Sequence, residues 1–544
     1  MIDVALGIDF GTLSARAVFV DAKNGSVLAS ADSPYAHAVL TKALPDGETL
    51  PLEYALQVPA DYLKSMTEAV REAKASLEAP VKVIGIGTDF TACTMIPTDE
   101  SGEPLCARYP KRRHAYAKLW KHHAAQDKAD LINKIGGERE ESFLARYGGK
   151  ISSEWALPKV WEILAEDPDL FSEMAHFVEA GDWIVWQLTG NLTKNASAAG
   201  YKGFYQDDLG YPSDDFLKAL DPGLEGVFSK MGDRVYPQGS LAGHLSSEMA
   251  EVLGLEPGIP VAVGNIDAHV AIPAEGIAGA GEMLIIMGTS SCHIVVDPKM
   301  YLVPGMAGVV KDGVLPGYYG YESGQVSVGD MFQAFVDNFV PPSYWAEAKE
   351  RGVSIHQLLR EKCEQQKPGQ SGILALDWWN GNRSVLVNAN LSGVLVGLTL
   401  ETKPEDVYRA LIEATAYGTK VIVDNYEAGG VKISEIVAGG GIAKKNPMMM
   451  QIYADVLDRK IRVSGHTQGP AVGSAIFGAV AGGYYADLPE AIRHMGRRDG
   501  KVYEPQPEAR DRYADLYKDY LWLHDVFGRE RPDVSEKYRQ LRGD

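Results

Sequence analysis

Leu6-Gly7-Ile8-Asp9-Phe10-Gly11-Thr12-Leu13-Ser14 and Ile285-Ile286-Met287-Gly288-Thr289-Ser290-Ser291-Cys292 decide how this chain is read. Each is an apolar β run, a tight Gly-Thr turn rich in hydroxyls, and a second β run, Ala15 to Val20 in one case and His293 to Val296 in the other. Glycine lets backbone N–H groups approach a phosphate closely, so two such hairpins set face to face would clamp the phosphates of a nucleotide. The first turn also brings Asp9, a carboxylate suited to holding a metal ion. The chain has no G-x-x-x-x-G-K-[ST] loop and no protein-kinase catalytic loop, which turns the reading away from those two phosphate sites.

A hairpin that restarts the chain halfway along predicts an α/β fold of two actin-like ATPase (ribonuclease H-like) domains, with mixed sheets flanked by helices and a catalytic cleft between them. Length agrees, because 544 residues exceed what one core holds. In the first half the spacing predicts a third strand near Gly25–Ser30, a helix over Ala60–Ser76 and a buried strand over Val81–Thr88. It then predicts mostly helix from Ala115 to Ala165, with Trp120, Trp155 and Trp161 as anchors, and a strand at Pro260–Val263. The second half repeats the alternation. A capping box at Thr402-Lys403-Pro404-Glu405 opens a helix whose buried face carries Val407, Leu411, Ala414 and Val421. A strand at Ile433–Val437 runs into Gly439-Gly440-Gly441, a helix follows from about Pro447, and Lys460–Val463 is a strand. Gly469 to Ala486 is uncharged and near the length of a membrane span, but its five glycines and proline predict a helix packed closely through small residues. The boundary is expected at 275/276, giving domains 1–275 and 276–544, with a hinge in the Gly- and Ala-rich Ala271–Gly281.

Composition narrows the partners. A formal charge of −20 repels nucleic acid and anionic membranes. Four cysteines without close pairs read as reduced thiols, and the N-terminus shows no basic leader or apolar signal core, so a cytoplasmic location is expected. His114, His122 and His123 lack the spacing of a matched metal-ligand set.

The chain resembles the FGGY carbohydrate kinases over essentially its full length. The resemblance is carried by Asp9-Phe10-Gly11-Thr12, Gly87-Thr88-Asp89-Phe90-Thr91-Ala92, Leu119-Trp120-Lys121-His122-His123 and Lys150-Ile151-Ser152-Ser153-Glu154-Trp155. It continues through Gly181-Asp182-Trp183, Gly264-Asn265-Ile266-Asp267-Ala268-His269, Met287–Ser291, and Gly439-Gly440-Gly441 with Asn446 and Pro447. The Thr-Asp-Phe-Thr-Ala and Ser-Ser-Glu-Trp segments narrow it to the branch acting on L-ribulose rather than xylulose or glycerol. The resemblance implies ATP- and Mg²⁺-dependent phosphorylation of L-ribulose at O5, in arabinose catabolism, by a homodimer. Another ketopentose or a pentitol is the alternative within the family; outside it stands a sugar- or nucleotide-sensing protein without turnover.

On this resemblance Asp267 is the general base. It follows a strand and Gly264, opens an apolar helical run and lies at the expected cleft; its bland competitor is a helix N-cap. Phosphoryl transfer needs such a group to orient the hydroxyl and accept its proton late. Asp9 is implied as the Mg²⁺ ligand, directly or through water. Gly11, Thr12, Gly288 and Thr289 are implied to hold the phosphates, and Gly440, Gly441 and Asn446 the adenosine. For the sugar the resemblance points to Ala92, Trp120, Lys202, Asp267 and Glu322. On the residues alone, Lys202 has the competing reading of a surface lysine, Glu322 that of a solvated loop acid and Trp120 that of core.

Overall fold

In the computed structural model, which describes residues 1–232 and 234–543, the opening hairpin pairs β1 (Ile2–Phe10) with β2 (Ser14–Asp21) in a register that sets Asp9 opposite Arg16. Side chains alternate along a strand, so β1 presents two different faces. Val4, Leu6, Ile8 and Phe10 enter one apolar cluster and Ala5 another. Both faces are covered, as central strands of mixed α/β sheets require.

The first sheet runs β3 (Val27–Pro34), β2, β1, β4 (Val81–Phe90), β6 (Pro260–Ala262), β5 (Leu241–His244), with Asn265–Ile266 also pairing with β4. β1 and β4 are parallel, as are β4 and β6, while the flanking pairs are antiparallel. The second sheet repeats this pattern. Its strands are β7 (Gly281–Met287), β8 (Ser291–Asp297), β9 (Gly308–Lys311), β10 (Tyr319–Gln325), β11 (Ile433–Gly439), β12 (Ile461–Val463) and β13 (Val502–Tyr503). Their order is β9-β10-β8-β7-β11-β12-β13, with β7, β11 and β12 parallel and β7–β8 and β8–β10 antiparallel. The two hairpins thus occupy equivalent positions in two sheets of the same plan.

The segment 115–165 departs from the expected run of helix. Ala117–Lys118 is a strand in a small sheet with Leu56–Gln57, Met95–Thr98 and His176–Glu179, and the helical part is broken into Gln126–Glu138, a 3-10 turn at Ser142–Tyr147, and Ala156–Glu166. Trp155 and Trp161 are buried anchors, whereas Trp120 sits in a turn, partly exposed. Here the chain leaves the repeated plan, and long-range pairing overrides local helical spacing.

Among the helices that position the site are α1 (Asp267–Ala274), α2 (Pro404–Ala428), α3 (Gly440–Lys445), α4 (Pro447–Leu457) and α5 (Gly469–Ala481). Val407, Leu411, Ala414 and Val421 of α2 are all buried. Its cap is shifted by one residue from expectation. Asp406 Oδ2 accepts the Lys403 N–H at 2.9 Å, because the Thr402 hydroxyl is taken by the Thr399 N–H. The Ala271–Ala274 part of the expected hinge is helical within α1, which leaves 275–280 as the connector between α1 and β7.

No helix among the described residues is long and apolar enough to cross a membrane. Instead α5 packs on the first sheet and on α1. Cβ atoms added at Gly7, Gly85 and Gly87 would overlap the carbonyl oxygens of Ala471, Gly478 and Ser474, and one at Gly473 would overlap that of Val270. Strand backbone and helix backbone therefore touch, and the same strand faces carry Asp9 and Asp89 to the ends of β1 and β4. Overpacking typically costs about 1–3 kcal/mol, so Gly87→Ala or Gly473→Ala should lower stability to denaturant by at least about that much. Gly137→Ala, at a helical glycine with open space around it, should be neutral or stabilising; equal effects at these sites would contradict the packing account.

Candidate active site

Asp9, Asp89 and Asp267 meet at the ends of neighbouring elements. Asp9 pairs in register with Asp89, Asn265 pairs with Asp89 on the other side, and Asp267 begins α1 two residues later. Ile266, not Asp267, is the helix cap; the Asp267 carboxylate instead accepts the Ala268 N–H at 2.7 Å. Arg16 lies 3.7 Å from Asp9, and Ser474 of α5 donates to Asp89 Oδ2 at 2.5 Å. Asp89 Oδ1 is buried and has no hydrogen-bond donor among the described residues. Burial, followed by repulsion from Asp9, pushes Asp267 up to about 7 and Asp89 well above the carboxylate range. Burial also raises Asp9, against the pull of Arg16.

A second cluster is rich in cations. Lys202 ends the short helix Ala196–Tyr201, whose N-cap Asn195 is fixed by Asp182 at 2.8 Å, and its Nζ pairs with Glu154 at 2.9 Å. Lys202 is buried, so it is not a surface lysine. Glu322 lies on β10 rather than in a loop and is buried; His269 bridges it at 2.9 Å to Ser197 at 2.8 Å, joining both halves of the chain. Burial opposes the charge of Glu322, but the His269 hydrogen bond with Lys202 and Arg383 outweighs it and brings the group to about 2. Burial is likewise outweighed at Glu154, where Lys202, His123 and Arg383 hold the carboxyl well below its ordinary range.

Buried Lys159 ties two loops of this cluster together, donating to the carbonyls of Cys93 at 2.6 Å and Leu119 at 3.0 Å, the neighbours of Ala92 and Trp120. The Trp120 indole N–H reaches the Thr12 hydroxyl at 3.2 Å, so its loop adjoins the first hairpin. Ala92 is half-buried. His114 and His122 engage Glu166 and Glu162, while His123 turns toward Glu154; the three do not converge on one point.

Both turns are closed by a glycine N–H, but the second is one residue tighter. Gly11 N–H is bonded to Ser14 O at 3.0 Å and Gly288 N–H to Ser290 O at 2.9 Å. Gly288 and Thr289 are exposed, and their carbonyls accept from Gly329 and Val328, the start of the helix Gly329–Phe339. Gly440 has φ +90° and fits directly against the Met287 carbonyl, which joins the glycine triplet to the second hairpin. Gly441 faces open space. Asn446 uses Oδ1 to cap α4 through Met449 N–H at 3.1 Å, leaving its amide N–H₂ for other contacts.

Asp89, Glu154 and His269 stand inside the motifs quoted above but drew no role from the sequence. Arg383 belongs to none, and only folding brings it to Glu154, 3.8 Å away.

Fold and site together define a two-domain phosphotransferase of the actin-like class. Models of the FGGY family of carbohydrate kinases match it twice, the N-terminal domain over residues 4–272 and the C-terminal domain over 283–482. The chain belongs to the FGGY family and is a carbohydrate kinase. It is 50% identical to a ribulokinase of Halalkalibacterium halodurans, covering 99% of this chain and 97% of that one. It is 49% identical to a ribulokinase of Bacillus licheniformis, over 97% and 98%. A ligand-bound xylulose kinase from Lactobacillus acidophilus shares the fold with a TM-score of 0.80 at 18% identity, covering 98% of this chain and 100% of that one. Plasmodium falciparum glycerol kinase with ADP does so with 0.77 at 17%, over 96% and 98%.

The raised Asp267 carries a stability consequence. Its folded value, about 7, lies above the ordinary 3.8, so the folded state holds the proton more tightly and stability falls as pH rises between the two. Asp267→Asn should therefore raise Tm of the metal- and nucleotide-free protein at about pH 8, with the gain vanishing near about pH 4. An equal gain at both would contradict this origin.

Proposed function

We propose that this protein transfers the γ-phosphoryl group of ATP to O5 of L-ribulose. The observation that carries the reading is the position of Asp267: it opens α1 beside the strand ends that bear Asp9 and Asp89, two residues before His269, which bonds Glu322 at 2.9 Å, and so it joins a site suited to phosphate and metal to one suited to a polyol. The names borne by relatives of about half identity support the choice of sugar.

In this reading the Lys202 ammonium donates to sugar oxygens and Glu322 accepts from hydroxyls, both held by buried partners that preset their directions. Trp120 offers an apolar face and Ala92 a small wall. Asp267 orients the attacking hydroxyl and takes its proton as the new bond forms. A pKa near 7 makes it a better base than an ordinary aspartate while leaving it substantially ionised at neutral pH. Gly11, Thr12, Gly288 and Thr289 donate to the phosphates, and Gly440, Gly441 and Asn446 receive the adenosine. Four free cysteines accord with a reducing cytoplasm.

The acidic cluster fits Mg²⁺. No group of three or more His, Cys, Asp and Glu among the described residues forms a ready cation cage. Mg²⁺ instead takes one or two carboxylates, with waters and substrate phosphates completing its shell. Asp9, beside the unpartnered Asp89 Oδ1, supplies that. When bound, the cation neutralises charge on the transferring phosphate.

A coupled ADP-release assay across ketopentoses and pentitols should give the highest kcat/KM with L-ribulose; a higher value for another sugar would reassign the substrate. Asp267→Asn should lower kcat by roughly 10²-fold or more while nucleotide affinity is kept, the usual scale for lost acid–base catalysis. Turnover within about threefold of the parent would remove Asp267 from its role. Asp9→Ala should move the Mg²⁺ dependence of turnover to higher concentration without loss of folding; saturation with Mg·ATP at parental concentrations would leave Asp9 structural.

A further inference from the structure

Arg383 lies in the loop between the strands Leu374–Leu376 and Val394–Val396. The loop is fixed: Asn382 and Asn388 exchange backbone hydrogen bonds at 2.9 and 2.8 Å, Asn382 Oδ1 accepts the Leu386 N–H, and the Ser384 hydroxyl accepts the N–H of Gly324 at 3.2 Å. The side chain passes beside Gly324, two residues beyond Glu322 on β10. Its side chain is about three-quarters buried, yet its nearest acidic oxygen is Glu154 Oε1 at 3.8 Å, beyond hydrogen-bond range. Glu322 and Cys292 are its other electrostatic neighbours.

A guanidinium carries five N–H donors, and burying them without acceptors is costly. None of the five has a hydrogen-bond acceptor among the described residues. Lys202 and Glu154 come from the first half of the chain, Glu322 and Arg383 from the second, and the two cations lie within electrostatic reach of both acids. That mixture suits a molecule presenting many hydroxyls, each both donor and acceptor.

We propose that Arg383 is a sugar-binding residue supplied by the C-terminal half, donating hydrogen bonds to an oxygen of the ketopentose while the Glu154 carboxylate beside it balances its charge. This rests on the kinase reading above and deepens it, since the sugar is then gripped from both halves and Arg383 ties its occupancy to their juxtaposition. A transferring phosphate is the competing ligand, and it predicts different kinetics.

The test uses full-length parent, Arg383→Gln and Arg383→Lys, with L-ribulose varied at saturating Mg·ATP, ATP varied at saturating sugar, and calorimetric titration of L-ribulose without nucleotide. Loss of a charge-assisted hydrogen bond should raise the sugar KM and Kd of Arg383→Gln by about tenfold or more. The ATP KM should stay within about twofold, and Arg383→Lys should recover part of the sugar affinity. Sugar KM and Kd within about twofold of the parent in both variants would overturn the assignment. So would a rise in the ATP KM, or a fall in kcat, with sugar affinity unchanged. Should Arg383→Gln not fold, Arg383→Lys decides by the same split. Failure of the kinase reading shows instead in the parent, as absence of both binding and turnover of every ketopentose, and overturns both.

Discussion

Where α5 meets β1 and β4, backbone lies against backbone, because Gly7, Gly85 and Gly87 leave no side chain between strand and helix. A helix late in the chain thus roofs the sheet built by its beginning. The contact brings Ser474 to Asp89 and, through Gly473, seats α1 with Asp267 at its start. Strand alternation then leaves no choice for Asp9 and Asp89: they share a face with the glycines and project at the strand ends. Side chains at the glycine positions would push the helix outward and let water reach the acids.

The site sorts its carboxylates by their neighbours. Burial raises all of them, but the balance differs. Asp267 rises from 3.8 to about 7 through burial, with the neighbouring acid Asp9 adding to it. Glu322 falls from 4.5 to about 2 because His269, Lys202 and Arg383 outweigh the same burial. One part of the site therefore holds acids that keep their protons more readily, and the other holds carboxylates paired with cations. That division is what phosphoryl transfer to a polyol requires.

Much of this was legible in the chain as written. Both hairpins, the duplicated α/β plan, the small-residue helix and the buried face of α2 follow from local pattern and residue type, since turn chemistry and periodicity act over a few neighbours. Asp9 and Asp267 stood out because a carboxylate after a strand and a glycine is chemically conspicuous. The mostly helical reading of 115–165 missed Ala117–Lys118, since a strand that short is dictated by distant partners. The cap at Thr402 slipped by one residue because Thr399 competed for its hydroxyl.

Sequence alone determined the two Gly-Thr hairpin turns, the alternation of strand and helix, and the acids at the strand ends, because each depends on residues within a turn or two. Tertiary structure alone decided that Lys202 is buried against Glu154, that Glu322 is a strand residue bridged by His269, and that Arg383 crosses from one half of the chain to the other. Charge strength at such sites depends on burial and on partners far along the chain, and pattern over neighbouring residues carries no record of either.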